Sequence, residues 1–308
     1  MAQTTELAQR VVRPLGGGDV EAVVKIDCER SGRSRSEFYA RRFHALAQEP
    51  RSFVGLGAER RGRLAGFALA HIIDGEFGGS APVGVLDAVG VSPEVERAGV
   101  ATALLAGLEE ELFARGAREV RTQADWTEHG MAAFFSARGF RLSPRVVLER
   151  VLERPLDDGF AWEELPVRSM TEGDLPAIVR LDRRVAARDR SSYLERKARE
   201  ALRPSGIRLS LVAELDHLVA GFLMARVDFG EFGRTEPSAV LDTIGVDPAY
   251  ERRHVGRALL EQLLLNLRSL RVERVLTEVQ WNHVSLLGFL VRTGFEPAQR
   301  LAFEKAIA

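Results

Sequence analysis

The sequence predicts an α/β chain made of two tandem copies of one domain, each a mixed, mostly antiparallel sheet flanked by helices. The chain has 308 residues, about twice the common domain size. Shifted by 155 positions it aligns on itself without a gap from about Arg13 to Arg150, and about a third of the positions between 75 and 149 are identical. A repeat of this length means a duplicated domain, because solenoid units recur every 20 to 50 residues or so. Within each copy, short apolar runs of β type alternate with stretches of helical periodicity, an order that builds mixed sheets covered by helices.

Each element follows from its pattern. VVRPL opens the first copy as a short strand, and GGDVEAVVKID continues as a helix behind Asp19, whose carboxylate is placed to cap a first turn. A polar helical stretch contains Ser36 to Leu46, and its counterpart contains Ser191 to Leu202. SFVGLGAE and RLAGFALAHII, separated by the charged turn RRGR, form a hairpin. After the glycine-rich loop GEFGGSAP come the buried strand VGVLDAVGV and a helix from Val100 to Arg115, with leucines at 104, 105, 108 and 112. EVRTQAD is a strand, GMAAFFSARG a helix closed by Gly139, and VVLERVL the last strand. The segment LERPLDDGFAWEELP, with two prolines and several acidic residues, reads as a linker. It divides the chain into an N-terminal domain, residues 1–155, and a C-terminal domain, residues 156–308.

Composition narrows the partners. With 43 Lys plus Arg against 44 Asp plus Glu, a net charge of -1 and a pI near 6.6, neither nucleic acid nor an anionic membrane is expected as a partner. Cys28 is the only cysteine, which excludes an internal disulfide and a multi-cysteine zinc site, and no metal is expected. The first residues lack a signal-peptide core and no long apolar run occurs. The expectation is a soluble, cytoplasmic protein, either a monomer with two pseudo-symmetric domains or a homodimer.

One sentence of sequence is written twice: LDAVGVSPEVERAGVATALL at 86–105 and LDTIGVDPAYERRHVGRALL at 241–260. A strand enters a helix through a small-residue loop, which leaves several first-turn N–H groups unpaired and aimed at a common point, a ready anion site. The first copy supplies Gly99, Ala101 and Thr102 with Arg97 at the rim; the second has His254 and Gly256 at the places of Gly99 and Ala101, and more charge from Arg252, Arg253 and Arg257. No Gly-Lys-Ser/Thr and no GxGxxG follows a strand, so P-loop and dinucleotide chemistry is excluded.

This arrangement resembles the GNAT acyltransferase superfamily, once per half and over nearly the whole chain. In that family a strand ending in V-x-P leads to Q/R-x-x-G-x-G/A, whose amides hold the pyrophosphate of acetyl-CoA. GVSPEVERAGVATALL and GVDPAYERRHVGRALL look like that signature, with Glu96 and Glu251 at the Q/R position. The resemblance implies acetyl-CoA or another acyl-CoA as coenzyme. It implies contacts from Val89, Val91, Glu96, Arg97, Ala98, Gly99, Val100, Ala101 and Thr102 in the first half, and from Ile244, Val246, Glu251, Arg252, Arg253, His254, Val255, Gly256 and Arg257 in the second. The family's later asparagine, ahead of a helix ending in Gly-Phe, is matched by Asn282 and by residues 294 and 295; the first copy has Thr127 there and Gly-Phe at 139 and 140.

Acyl transfer to an amine requires a deprotonated nitrogen, a polarised acyl oxygen and a proton for the departing thiolate. The resemblance implies a backbone N–H near Val91 or Val246 on the acyl oxygen, and a strand carboxylate as base. Asp87 and Asp242 fit, each inside an apolar strand four residues before that valine and expected on the same face. Two roles stay open for them: base or amine recognition, and ion pairing with an arginine. Glu76 and Glu231, in the shared GEFG loop, either attract a cationic acceptor or are solvated loop residues. The family's acid is a tyrosine four residues before the glycine of Gly-Phe, where this chain has Phe135 and Leu290. The function implied is acetyl transfer from acetyl-CoA to a primary amine of a small molecule or protein by direct attack. The alternative is a non-catalytic acyl-CoA-binding or regulatory protein with one or both halves degenerate.

Overall fold

The computed structural model describes residues 11–73, 82–152, 165–186, 189–202, 209–228, 230–234, 236 and 238–308. Most of the expected linker, and Glu76 with most of its loop, lie outside the described residues. The first repeat contributes β1 (Val11–Pro14), α1 (Val20–Ser31), α2 (Ser36–Gln48), β2 (Phe53–Arg60), β3 (Arg63–Ile73), β4 (Val83–Val91), α3 (Val100–Ala114), β5 (Glu119–Asp125), α4 (His129–Ala137), β6 (Arg141–Leu142) and β7 (Arg145–Val151). The second gives β8 (Val167–Ser169), α5 (Leu175–Ala186), α6 (Ser191–Ala201), β9 (Leu211–Leu215), β10 (Leu218–Asp228), β11 (Ser238–Val246), α7 (Val255–Ser269), β12 (Arg274–Gln280), α8 (Val284–Arg292), β13 (Glu296–Pro297) and β14 (Arg300–Ala306). Among the described residues no helix is long and apolar enough to cross a membrane.

Two seven-stranded mixed sheets result, and they exchange strands. The first has the order β1-β2-β3-β4-β5-β14-β6 and the second β13-β7-β12-β11-β10-β9-β8. Among the described residues only β4 with β5 and β11 with β12 run parallel. The division near residue 155 therefore describes the repeat in the sequence, while the sheets divide earlier: β7 pairs along its whole length with β12, and β14 with β5. The change of partner takes place within one step. Ser143 N donates to Ala302 O in the first sheet at 2.9 Å, and the next carbonyl, of Pro144, accepts from Trp281 N in the second at 3.0 Å. Proline has no N–H to continue the first ladder.

The helices cover both faces. Leu104, Leu105, Leu108 and Leu112 of α3 are buried against the first sheet together with Phe303 of the exchanged β14; each fully buried leucine contributes about 1.5–3 kcal/mol. Val23, Ile26, Tyr39 and Phe43 of α1 and α2 close the other face over Phe67 and Leu69. In the second half α7 and the α5–α6 pair repeat this.

Both strand aspartates sit at β-bulges, and this corrects their expected direction. Leu86 stands opposite Ala70 and Ala88 opposite Leu69, so Asp87 is the extra residue; Asp242 is extra in the same way between Leu241 and Thr243. A bulge shifts the alternation of faces by one. Val91 accordingly packs in the core under α3, whereas Asp87 opens to the other face, beside Arg42 of α2 and His71.

Candidate active site

In each half the parallel strands touch at one end and part at the other. β11 pairs with β12 only at Ala239–Val275 and Val240–Leu276, and β4 with β5 only at Gly84–Val120 and Val85–Arg121. In the second half the opening holds a cavity of about 1190 Å³, larger than a common ligand pocket of roughly 300–1,000 Å³. It is lined by Ile244 and Val246 of β11, by Glu251, Arg252, His254, Val255, Gly256 and Arg257 at the entry to α7, and by Asn282. The expected second-half residues are thus brought onto one cavity, except Arg253, whose guanidinium lies 5.6 Å from the centre of the Tyr250 ring. A smaller cavity of about 250 Å³ lies between α2 and β2 of the first half. Val89, Val91 and the loop residues Glu96, Arg97, Ala98, Gly99, Val100, Ala101 and Thr102 line neither cavity.

The two loops share one backbone. Pro93 and Pro248 start short 3-10 turns that end the strands. Two left-handed residues then follow, Arg97 (φ 58°) and Gly99 (φ 77°) in the first half, Arg252 (φ 61°) and His254 (φ 61°) in the second. Glycine occupies such a position without strain, while a residue with a Cβ pays about 1–2 kcal/mol. His254 therefore holds by strain the turn that Gly99 makes freely. Beyond it, the N–H groups of Val255 and Gly256 have no acceptor within the helix. A Cβ added at Gly256 would come within 3.4 Å of Val246 Cγ2 and 3.5 Å of the Phe289 ring. The missing side chain keeps this throat open.

The acidic candidates are gathered into one buried ion cluster between the halves. Asp87, 1 % exposed, lies 2.9 Å from His71 Nδ1 and 3.2 Å from Arg42 Nε. Asp242, 4 % exposed, lies 3.3 Å from Lys197 Nζ and 3.5 Å from Arg226 Nε. Arg42 and Lys197 are equivalent in the repeat, as are His71 and Arg226. Glu231 links the two sets: it pairs with Arg42 of the first half and accepts from both terminal nitrogens of Arg226 at 3.0 and 2.9 Å. Burial pushes the Glu231 carboxyl up, but the guanidiniums of Arg226 and Arg42 outweigh it and hold the group well below the usual carboxylate range. The expectation of a solvated loop glutamate is corrected: Glu231 is 4 % exposed, because its loop turns inward to meet two arginines.

Phe135 and Leu290 are buried in the two cores. The hydroxyl groups on the cavity wall are instead those of Tyr250, Thr243, Ser285 and Thr293. Reasoning from the sequence missed Tyr250, Ser285, Phe289 and Arg292, although the helical spacing of 285, 289 and 292 places them on one side of α8. It also missed Arg145, which reaches the cavity only because β7 is exchanged, a step that leaves no periodicity to read.

Fold and site together define a duplicated α/β acyltransferase scaffold with an open cleft in its second half. The model of the Acetyltransferase (GNAT) family matches residues 21–140 and 175–295, and the chain belongs to that family. No curated protein sequence matches it. Among solved structures it is similar to a tandem GNAT protein from the clavulanic acid biosynthesis pathway, with a TM-score of 0.67, 19% identity, and 96% of this chain and 98% of that chain covered. It is also similar to a GCN5-related glucosamine N-acetyltransferase region of a fungal multi-domain β-N-acetylglucosaminidase (0.68, 16%, 96% and 38%), and to a GCN5-related N-acetyltransferase from Sphaerobacter thermophilus (0.62, 16%, 97% and 96%). At these identities the likeness is one of fold.

Proposed function

We propose that this protein transfers an acetyl group from acetyl-CoA to a primary amine by direct attack, and that its second half holds the coenzyme. The observation that carries this reading is the cavity between the parted strands β11 and β12, with the entry to α7 on its wall. The fit is chemical. The N–H groups of Val255 and Gly256, the bare Cα of Gly256 and the guanidiniums of Arg252 and Arg257 suit a diphosphate, with Arg253 and Glu251 at the rim. Ile244, Val246, Leu286 and Phe289 offer an apolar wall to an extended arm. When bound, acetyl-CoA supplies the acyl group as an activated thioester.

The chain's own groups have three tasks. A main-chain N–H near Val246 polarises the acyl oxygen. Asp242 takes the proton that the amine nitrogen loses, relayed by water, since its carboxylate pairs with Lys197 and Arg226 and does not itself line the cavity. Tyr250 or Ser285 stands in for the tyrosine absent at Leu290 and returns a proton to the sulfur. In the first half, Gly99, Ala101 and Thr102 keep the backbone of the site but line neither of the two cavities described above, and Asp87 acts as an ion-pair partner.

A second reading, a coenzyme-binding protein without turnover, is favoured by one observation, the burial of Phe135 and Leu290 where the acid is expected. Thiol release from acetyl-CoA across a panel of amines separates the two. Amine-dependent release supports transfer, coenzyme binding without release supports the second reading, and no binding at millimolar coenzyme removes both.

A further inference from the structure

The cavity does not end within the second half. Its far wall belongs to the first: Pro82 and Val83 at the start of β4, and Arg118, Glu119 and Arg121 around the start of β5. Alternation along β5 sends Val120, Thr122 and Ala124 inward and leaves Glu119, Arg121 and Gln123 on the opposite face. On that face Gln123 Nε2 donates to Glu278 Oε2 of β12 at 2.8 Å. Positions 123 and 278 are equivalent in the repeat, so β5 and β12 meet at the pseudo-twofold axis. The same symmetry carries Arg121 towards Gln280, at the end of β12 where the cleft opens, and both residues line the cavity.

The two arginines of this far wall are not repeated at the equivalent positions of the second half. The residue equivalent to Arg121 is Leu276, packed among Val147, Ala298 and Ala302, and the residue equivalent to Arg118 is Glu273. Arg121 has a side chain 15% exposed and binds Glu119 through Nε, and its terminal nitrogens make no hydrogen bond among the described residues. Arg118 donates to the carbonyls of Ala117 and Phe113 at 2.9 and 3.2 Å and has no carboxylate partner among the described residues. Arg145, 3.5 Å from Glu278, and Arg190, paired with Asp182, border the same cavity. Among the described lining residues Glu119 is the one carboxylate at this end. A cationic acceptor meets guanidinium groups there, whereas an oxyanion can be gripped by the fork of an arginine.

Resting on the reading of the second-half cleft as the acetyl-transfer site, we propose that the acceptor is a small amine carrying an anionic group, a carboxylate or a phosphate, and that Arg121 of the first half binds that group with Arg118 beside it. The half that does not hold the coenzyme thereby reads the acceptor. The test uses the full chain and matched amines: β-alanine against its amide, O-phosphoethanolamine against ethanolamine, and an N-blocked lysine peptide as the cation. Acceptor affinity is measured by calorimetry with coenzyme A present, and turnover by thiol release. The anionic member of at least one pair is expected to exceed its neutral partner by about ten- to hundredfold, the range of a charge-assisted hydrogen bond, and the pair that responds tells carboxylate from phosphate. Arg121→Leu, which installs the residue found at position 276, is expected to bring the anionic amine down to the level of its neutral partner while coenzyme A affinity stays unchanged. Should that variant not fold, Arg121→Lys, which keeps the charge and loses the fork, must still weaken the anionic amine severalfold. Preference for the neutral or cationic amine, or an anion preference that survives Arg121→Leu, overturns the inference and leaves acetyl transfer standing. Absence of coenzyme binding removes both.

Discussion

The two tryptophan substitutions Gly256→Trp and Gly99→Trp separate the halves by the kind of damage each does. Gly256 has ordinary helical backbone, and a Cβ there meets Val246 and Phe289 at 3.4–3.5 Å, a normal contact. The first repeat indeed carries Ala101 at this place. A tryptophan at 256 therefore costs little stability, within about 1 kcal/mol, but its indole fills the throat of the cavity. Coenzyme affinity should fall at least a hundredfold, about 2.7 kcal/mol. Gly99 is the opposite case. Its φ of 77° makes any side chain cost about 1–2 kcal/mol, a drop of a few degrees in Tm, yet it borders neither of the two cavities described above. The fold survives such strain, since His254 already bears it at the equivalent site with φ 61°. Titration calorimetry with coenzyme A and scanning calorimetry of each variant read the two quantities separately. Equal losses of affinity, or loss of affinity in Gly99→Trp alone, would refute the assignment of the coenzyme to the second half.

Further outcomes follow from the ion cluster and the exchanged strands. Asp242→Asn should lower kcat about a hundredfold or more with coenzyme affinity unchanged, while Asp87→Asn should leave kcat within about threefold and lower the Tm; steady-state kinetics on both variants checks this, and the reverse order would move the base to the first half. Glu231 is held well below the usual carboxylate range, and Asp174 is lowered to about 2 chiefly by its hydrogen bonds from Arg168. A depressed carboxyl stabilises the fold above its unfolded pKa and ceases to do so as pH falls through the folded value. Stability should therefore be flat above about pH 5 and decline toward pH 2, with a shallower decline in Glu231→Gln; an equal slope would show that the cluster does not form. Thermal unfolding should give one calorimetric transition, because each sheet contains a strand of the other repeat; two transitions separable by coenzyme would count against the exchange.

The elements were legible where a single stretch of sequence determines them. The leucine stripe of α3, the hairpin of β2 and β3 and the proline that ends β4 all depend on neighbours a few residues away, so periodicity and turn chemistry suffice. The strand-to-helix loop was legible for the same reason, and the backbone of both copies matches, even with His254 in place of glycine. Three features were not. The bulges at Asp87 and Asp242 arise from the mismatch of β4 with β3 and of β11 with β10, a relation between strands that alternation within one strand cannot express. The inward turn of Glu231 depends on Arg42, distant in the chain. The exchange of β7 and β14 leaves the local pattern untouched, since a strand of the same alternation fits either sheet; this hid the places of Arg145 and Arg121.

On the proposed reading, in which the second half holds the coenzyme, that exchange also explains why the first half is kept. β14 places Phe303 in the core of the first half, and its Lys305 Nζ pairs with Glu109 of α3 at 2.6 Å. β7 gives Val146 and Leu148 to the core of the second half. Removing either half would strip an inner strand from the other's sheet and expose a long unpaired edge, a state prone to aggregation. Selection for a folded second half therefore preserves the first, whatever becomes of its strand-to-helix loop. Substitutions on the β5 face that borders the second-half cleft are then constrained by that cleft. Arg121 in place of the leucine at 276, and Arg118 in place of the glutamate at 273, are differences of this kind, and they fall where the two halves share one cavity.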